Sequence, residues 1–150
     1  MEAKVLKDWL NKMLNGNSDE ELVISPEEEL LSGLNLKEVL DAHKGWKSKL
    51  ENELSGQSSV PIDVTETAKD HVCTLGKWVY GPGKNKYAAL PEYESMRKAH
   101  ANFHLVAAEV VIEHQSGNKE QAQNLLKTKF RNASNSNQLE LVKLFAAARN

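Results

Sequence analysis

Leu36, Val39, Leu40, His43, Trp46, Leu50 and Leu54 recur at steps of three and four between Asn35 and Gly56. That spacing, more than any other feature, constrains what the chain can become. It puts every one of these side chains on one face of a helix, with Asn35 as its N-cap and Gly56 as its stop. The same rhythm returns elsewhere. Val5, Leu6, Trp9, Leu10, Met13 and Leu14 form a stripe closed by Gly16. Ser25-Pro26-x-Glu28 has the capping signature of a short helix. Behind Asp63 and Glu66, Ala68, Val72 and Leu75 predict a helix from Val64 to about Tyr80, and GPGKNK after it reads as a loop. Leu90-Pro91 opens the longest stripe, with Tyr93, Met96, His100, Phe103, Ala107, Val110 and His114 running to Gly117. Ala122, Leu125, Leu126 and Phe130, then Leu139, Val142 and Phe145, complete the chain, either as one helix or as two with Ser134 as a cap. Strand-like alternation of useful length and internal repeats are both absent from the sequence. The expected fold is all-α: an antiparallel four-helix bundle over residues 35–150, with residues 1–34 as an additional N-terminal helical segment.

Composition narrows the function. A chain of 150 residues with 40% hydrophobic and 27% charged side chains can bury one ordinary core. A formal charge of −2 offers no electrostatic footprint for nucleic acid or for an anionic membrane. No apolar run approaches the ~20 residues that span a bilayer, and the amphipathic start MEAKVLKDWLNKML is not a secretory signal. A single cysteine, Cys73, excludes an internal disulfide and is expected in a reducing cytosol, free or metal-bound.

The chemistry lies in residues that interrupt the apolar stripes. His100 and His104 are four apart, which brings their β-carbons to ~6 Å on one helix face and lets both reach one ion. Both lie on or beside the core-facing stripe, where unpaired imidazoles are costly to bury and a metal supplies the missing partner. His43 sits inside the apolar stripe of another helix, and Cys73 lies beside that of a third. Singly, a core histidine is more often hydrogen-bonded and a buried cysteine more often inert packing. Together, three imidazoles and one thiolate can close a tetrahedron, a donor set that favours Zn²⁺ over Mg²⁺, Ca²⁺ or Mn²⁺. His71, if helical, lies ~200° around the axis from Cys73 and is expected in solvent. His114 is too far along its helix to join and suits the helix C-terminus. Asp41 and Asp70 are candidates for orienting the ligands from behind, although an exposed helix charge is the ordinary reading of each.

Three blocks, DAHKGWKSKL (41–50), CTLGKWVYG (73–81) and LPEYESMRKAHANFHLVAAEVV (90–111), resemble the chemoreceptor zinc-binding domain. They carry, in order, a histidine followed by a tryptophan, Cys-x-x-Gly-Lys-Trp, and His-x-x-Phe-His. SGNKEQAQNLL and SNSNQLELVKL also fit the closing helices of that family, so the resemblance covers roughly residues 36–148. It implies a helical bundle holding zinc through His43, Cys73, His100 and His104. It also implies a cytosolic, non-enzymatic sensory module, responsive to zinc or to oxidants such as hypochlorous acid through Cys73. Such modules are often fused to chemoreceptor or diguanylate cyclase signalling regions, and some are homodimers. No such effector is expected within 150 residues, so a signalling partner in trans or a missing fused effector is implied. Two other readings compete: a structural zinc bundle serving as an interaction module, and a di-iron protein. The second lacks the inward carboxylates and Glu-x-x-His spacing that di-iron bundles use.

Overall fold

The computed structural model of the chain describes residues 8–11, 30–58 and 60–149. The described chain enters through a small hairpin in which β1 (Leu30–Leu31) and β2 (Leu34–Asn35) pair antiparallel, Leu31 opposite Leu34. Ser32 and Gly33 between them have φ of 48° and 86°. Two positive φ values give a turn whose twist matches that of the flanking strands, and glycine takes the second at little cost. Asn35 then changes role and caps α1 (Leu36–Ser55), its side-chain oxygen accepting the Glu38 N–H at 2.9 Å. Gly56, at φ 78°, stops that helix as expected.

The next segment departs from the expected single helix over Val64 to about Tyr80. It forms α2 (Val64–Ala68), a turn over residues 69–73, and α3 (Thr74–Val79). Asp63 caps α2 through the Glu66 N–H. Cys73 becomes the N-cap of α3, its sulfur accepting the Gly76 N–H at 3.3 Å. Apolar spacing alone spans this break because Ala68 and Leu75 remain one stripe apart on either side of it. The sharp turn depends on Gly76: a β-carbon there would lie 1.8 Å from the Asp70 carbonyl oxygen. Gly76 thus serves close backbone approach inside α3. GPGKNK, expected as a loop, is mostly helical as α4 (Pro82–Tyr87), with Pro82 in the first turn where its missing N–H is not needed.

Pro91 opens α5 (Pro91–Gln115), and Gly117 at φ 86° follows its end. Of the two alternatives for the C-terminal region, the continuous one is found. A helix α6 (Lys119–Leu125) passes through a π-turn (Leu126–Phe130) into α7 (Arg131–Ala148) with αR backbone throughout the joins.

The core consists of two apolar clusters stacked along the long helices. One gathers Leu36, Val39, Leu40, Leu75, Trp78, Met96, Leu141 and Phe145. The other gathers Leu50, Phe103, Ala107, Val110, Phe130 and Ala133. His43, His100 and Asn137, all buried, fall between the two clusters on α1, α5 and α7 respectively. A buried polar layer therefore separates two apolar ones. Residues 8–11 are helical and send Trp9 and Leu10 into the first cluster beside Leu31 and Leu34. The remainder of the Val5–Leu14 stripe, Gly16 and the Ser25–Glu28 signature lie outside the described residues. Trp78 ties the hairpin to the bundle by donating its indole N–H to the Ser32 carbonyl at 3.1 Å.

Capping of α1 by Asn35 has a measurable consequence. Asn35→Ala is expected to lower stability by about 1 kcal/mol, and Asn35→Asp by much less, read as urea midpoints at unchanged slope.

Candidate metal centre

The polar layer brings together the four residues singled out by spacing and chemistry. His43 from α1, Cys73 at the head of α3, and His100 and His104 from α5 each present a ligand atom within 4.8 Å of the others. Cys73 Sγ lies 3.3 Å from His100 Nε2 and 3.6 Å from His104 Nε2, and the two Nε2 atoms are 3.1 Å apart. Tetrahedral zinc with bonds of ~2.0–2.1 Å to nitrogen and ~2.3 Å to sulfur requires edges of about 3.3–3.6 Å. Three edges are thus close to those of a filled tetrahedron. The cluster is positioned to bind a zinc ion.

Hydrogen bonding behind the ligand atoms decides which nitrogen faces inward. His43 Nδ1 donates to the Val39 carbonyl at 2.8 Å, and His104 Nδ1 donates to the Thr67 carbonyl at 2.9 Å. Each bond holds its ring in the tautomer whose lone pair is on Nε2. His43 Nε2 is then buried without any hydrogen-bond partner, an acceptor left empty in the interior. Such an atom is costly unless something cationic occupies the space before it. His100 directs Nε2 at the same point, and its Nδ1 is buried without a partner. These carbonyls were not identifiable as orienting groups in the sequence, since every residue carries one and only the fold selects which points at a ring.

The two aspartates considered for that work stand elsewhere. Asp41 is exposed and paired with Lys37 at 3.2 Å. Asp70 uses its carboxylate to accept the Tyr80 hydroxyl at 2.5 Å, while its carbonyl takes the Cys73 thiol at 3.8 Å. Asp70 therefore hydrogen-bonds to the site only through its backbone, while its charge helps raise the pKa of Cys73 and opposes the depression at His104. His71 is exposed in the turn beside Cys73 and points to no ligand role, and His114 lies in the last turn of α5. Two aromatic rings frame the imidazoles, Phe103 at 5.1 Å from His43 and Trp46 at 6.4 Å from His104, centroid to centroid.

Electrostatics follow from burial. Desolvation lowers the pKa of all three histidines below the ordinary imidazole value, the Val39 and Thr67 carbonyls opposing it at His43 and His104. His100 is pushed down to about 2 by burial, helped by His104 and His43. Burial pushes the Cys73 thiol up, against the pull of the Gly76 and Leu75 N–H groups. At pH 7 the metal-free site thus holds three neutral imidazoles and a protonated thiol. A metal ion needs the thiolate, so binding zinc should release about one proton per ion, all of it from Cys73. Calorimetry in buffers of different ionisation enthalpy checks this, and affinity should rise about tenfold per pH unit between 7 and 8. A second outcome concerns the turn: Gly76→Ala is expected to cost about 1–3 kcal/mol and to weaken zinc binding with it. Gly45→Ala, where a β-carbon would meet nothing within 4 Å, should leave zinc binding unchanged.

Comparison with known proteins bears on this geometry. No curated protein and no solved structure matches the chain. A protein-family match does exist, to the chemoreceptor zinc-binding domain, over residues 43–111. That span starts at His43, contains Cys73, His100 and His104, and ends within α5, short of the 36–148 resemblance read from the sequence. Among the described residues, no helix is long and apolar enough to cross a membrane. The stretch that supplies all four converging side chains, residues 43–111, is thus the stretch that matches the chemoreceptor zinc-binding domain family.

Proposed function

We propose that the chain is a cytosolic zinc-binding sensory domain whose ligands are His43 Nε2, Cys73 Sγ, His100 Nε2 and His104 Nε2. The reading is carried by one observation: His43 Nε2 is buried and unpartnered beside three other donor atoms, all within 4.8 Å of one another. Residues 35–150 form the zinc-binding unit in this reading, and residues 1–34 are an extension to it. When bound, zinc would supply charge to the interior and a cross-link between α1, α3 and α5. Four protein donors leave no position for a substrate water, so the role is regulatory rather than catalytic.

The signal enters through zinc availability or through Cys73. Its sulfur is half-buried, at the mouth of a turn, and metal binding holds it as the thiolate that oxidants attack. With hypochlorous acid, sulfur attacks chlorine and hydroxide leaves. Water then displaces chloride from sulfur, giving sulfenic acid, chloride and a proton. Sulfur loses two electrons and the oxidant gains them. The modified sulfur no longer donates well, and α3 loses both its cap and its tie to α5. Repacking of α3 against α5 is the output offered to a signalling partner, of chemoreceptor or diguanylate cyclase type, in trans or fused, with a homodimer as the state in which it acts.

Loss of a partner that merely orients a metal ligand weakens metal binding ~10–100-fold, so Cys73→Ala, which removes a ligand, should weaken it by more than about 100-fold. Wild type should hold one zinc per chain by elemental analysis. One equivalent of hypochlorous acid per chain should release it with a change in far-ultraviolet circular dichroism. Zinc retained with unchanged helicity would overturn the oxidant form of this reading, and undiminished zinc in Cys73→Ala would overturn the ligand set.

A further inference from the structure

We propose that the groove between α1 and the α6–α7 run is a binding site for a phosphorylated small molecule of the nucleotide class. The groove has a volume of about 980 Å³, within the range of small-molecule sites. It shares no residue with the zinc cluster. Its rims carry Lys44, Lys47, Lys127 and Arg131 against one carboxylate, Glu51. Four positive charges and one negative are concentrated here on a chain whose net charge is −2.

Most other cations on the same helices, Lys119 excepted, have a partner within the chain. Lys37, Lys129 and Lys143 each meet a carboxylate, and Lys49 lies over the Trp46 ring at 4.3 Å. Lys44, Lys47, Lys127 and Arg131 are exposed and form no ion pair or hydrogen bond among the described residues. Gathered cations with no internal acid to neutralise them suit an external anion, and the guanidinium of Arg131 suits the bidentate geometry of phosphate.

The remaining lining argues for more than inorganic phosphate. The buried Leu126 and Phe130 line the groove as its apolar surface. Asn52, Gln57 and Gln123 add amides able both to donate and to accept, as the edge of a heterocycle requires. From Lys44 to Ser55 the α1 rim is ~16 Å long, enough for an extended nucleoside triphosphate. The π-turn at Leu126–Phe130 lies in this wall and supplies Leu126, Lys127 and Phe130 to the groove. Such an extra residue in a helix is a recurrent mark of functional sites, because it re-aims side chains that a regular helix would send elsewhere.

The test is titration of the zinc-loaded full chain with ATP, inorganic triphosphate and adenosine, followed by ¹H–¹⁵N amide shifts. ATP should bind saturably and move amides in 44–57 and 123–135, with adenosine at least tenfold weaker. The double variant Lys47→Ala/Arg131→Ala should lose at least tenfold in ATP affinity while keeping its zinc content and helicity. Lys84→Ala, a cation outside the groove, should change neither. Several results would overturn the site: no saturable binding at millimolar ATP, equal affinity in the double variant, or shifts confined to residues around the zinc cluster. Retention of an oligonucleotide without any affinity for ATP would also overturn it. ATP binding that persists in Cys73→Ala keeps this proposal separate from the zinc assignment.

Discussion

Three imidazoles and a thiol are enclosed in one layer between two apolar clusters, and the protein cannot bury them cheaply without giving their lone pairs something to face. Two of the rings are held from behind by backbone carbonyls, Val39 for His43 and Thr67 for His104. The energetics of the molecule turn on this arrangement. Burial depresses the histidines and raises the cysteine, so the site rests neutral, and the unpartnered His43 Nε2 remains as the clearest sign that an ion completes it. The family match over residues 43–111 and the donor geometry agree on the ion.

The same layer explains the unusual handling of the segment between α1 and α5. A continuous helix there would place Cys73 among side chains at regular spacing. The break at residues 69–73 instead turns Cys73 into a cap, so its sulfur accepts a backbone N–H while facing two imidazoles. One atom thereby joins local structure to the metal site. Any change at sulfur is felt by a six-residue helix that has little else at its head. That coupling gives a sensing role a physical route. The same turn requires Gly76, whose missing β-carbon allows the Asp70 backbone to pass.

Much of the site was legible because its members violate the pattern around them. His43 stands where a leucine would suit the stripe between Leu40 and Leu50, and His100 and His104 do the same between Met96 and Val106. A polar residue that occupies a core position announces a partner. Val39 and Thr67 carry no such mark, because their contribution is a carbonyl direction set by where α1 and the end of α2 come to rest. The short helix at Pro82–Tyr87 was hidden for a related reason: its proline and glycine, with Gly81 just before them, are the composition of a loop. Its packing, with the Trp78 ring where a Gly83 β-carbon would stand, is a tertiary matter.

Local sequence was enough for the helical class, for the caps at Asn35 and Asp63 and the stops at Gly56 and Gly117, and for singling out the four side chains that the fold brings together. These depend on residue type and on spacing within a few turns, where local physics is decisive. Only contacts between elements decided that the helix expected over Val64 to about Tyr80 breaks at residues 69–73, that α6 and α7 join through a π-turn, and that unpaired cations line a groove between α1 and the α6–α7 run. Each depends on contacts between elements far apart in the chain. The balance there is struck by burial and close backbone approach, which no local periodicity encodes.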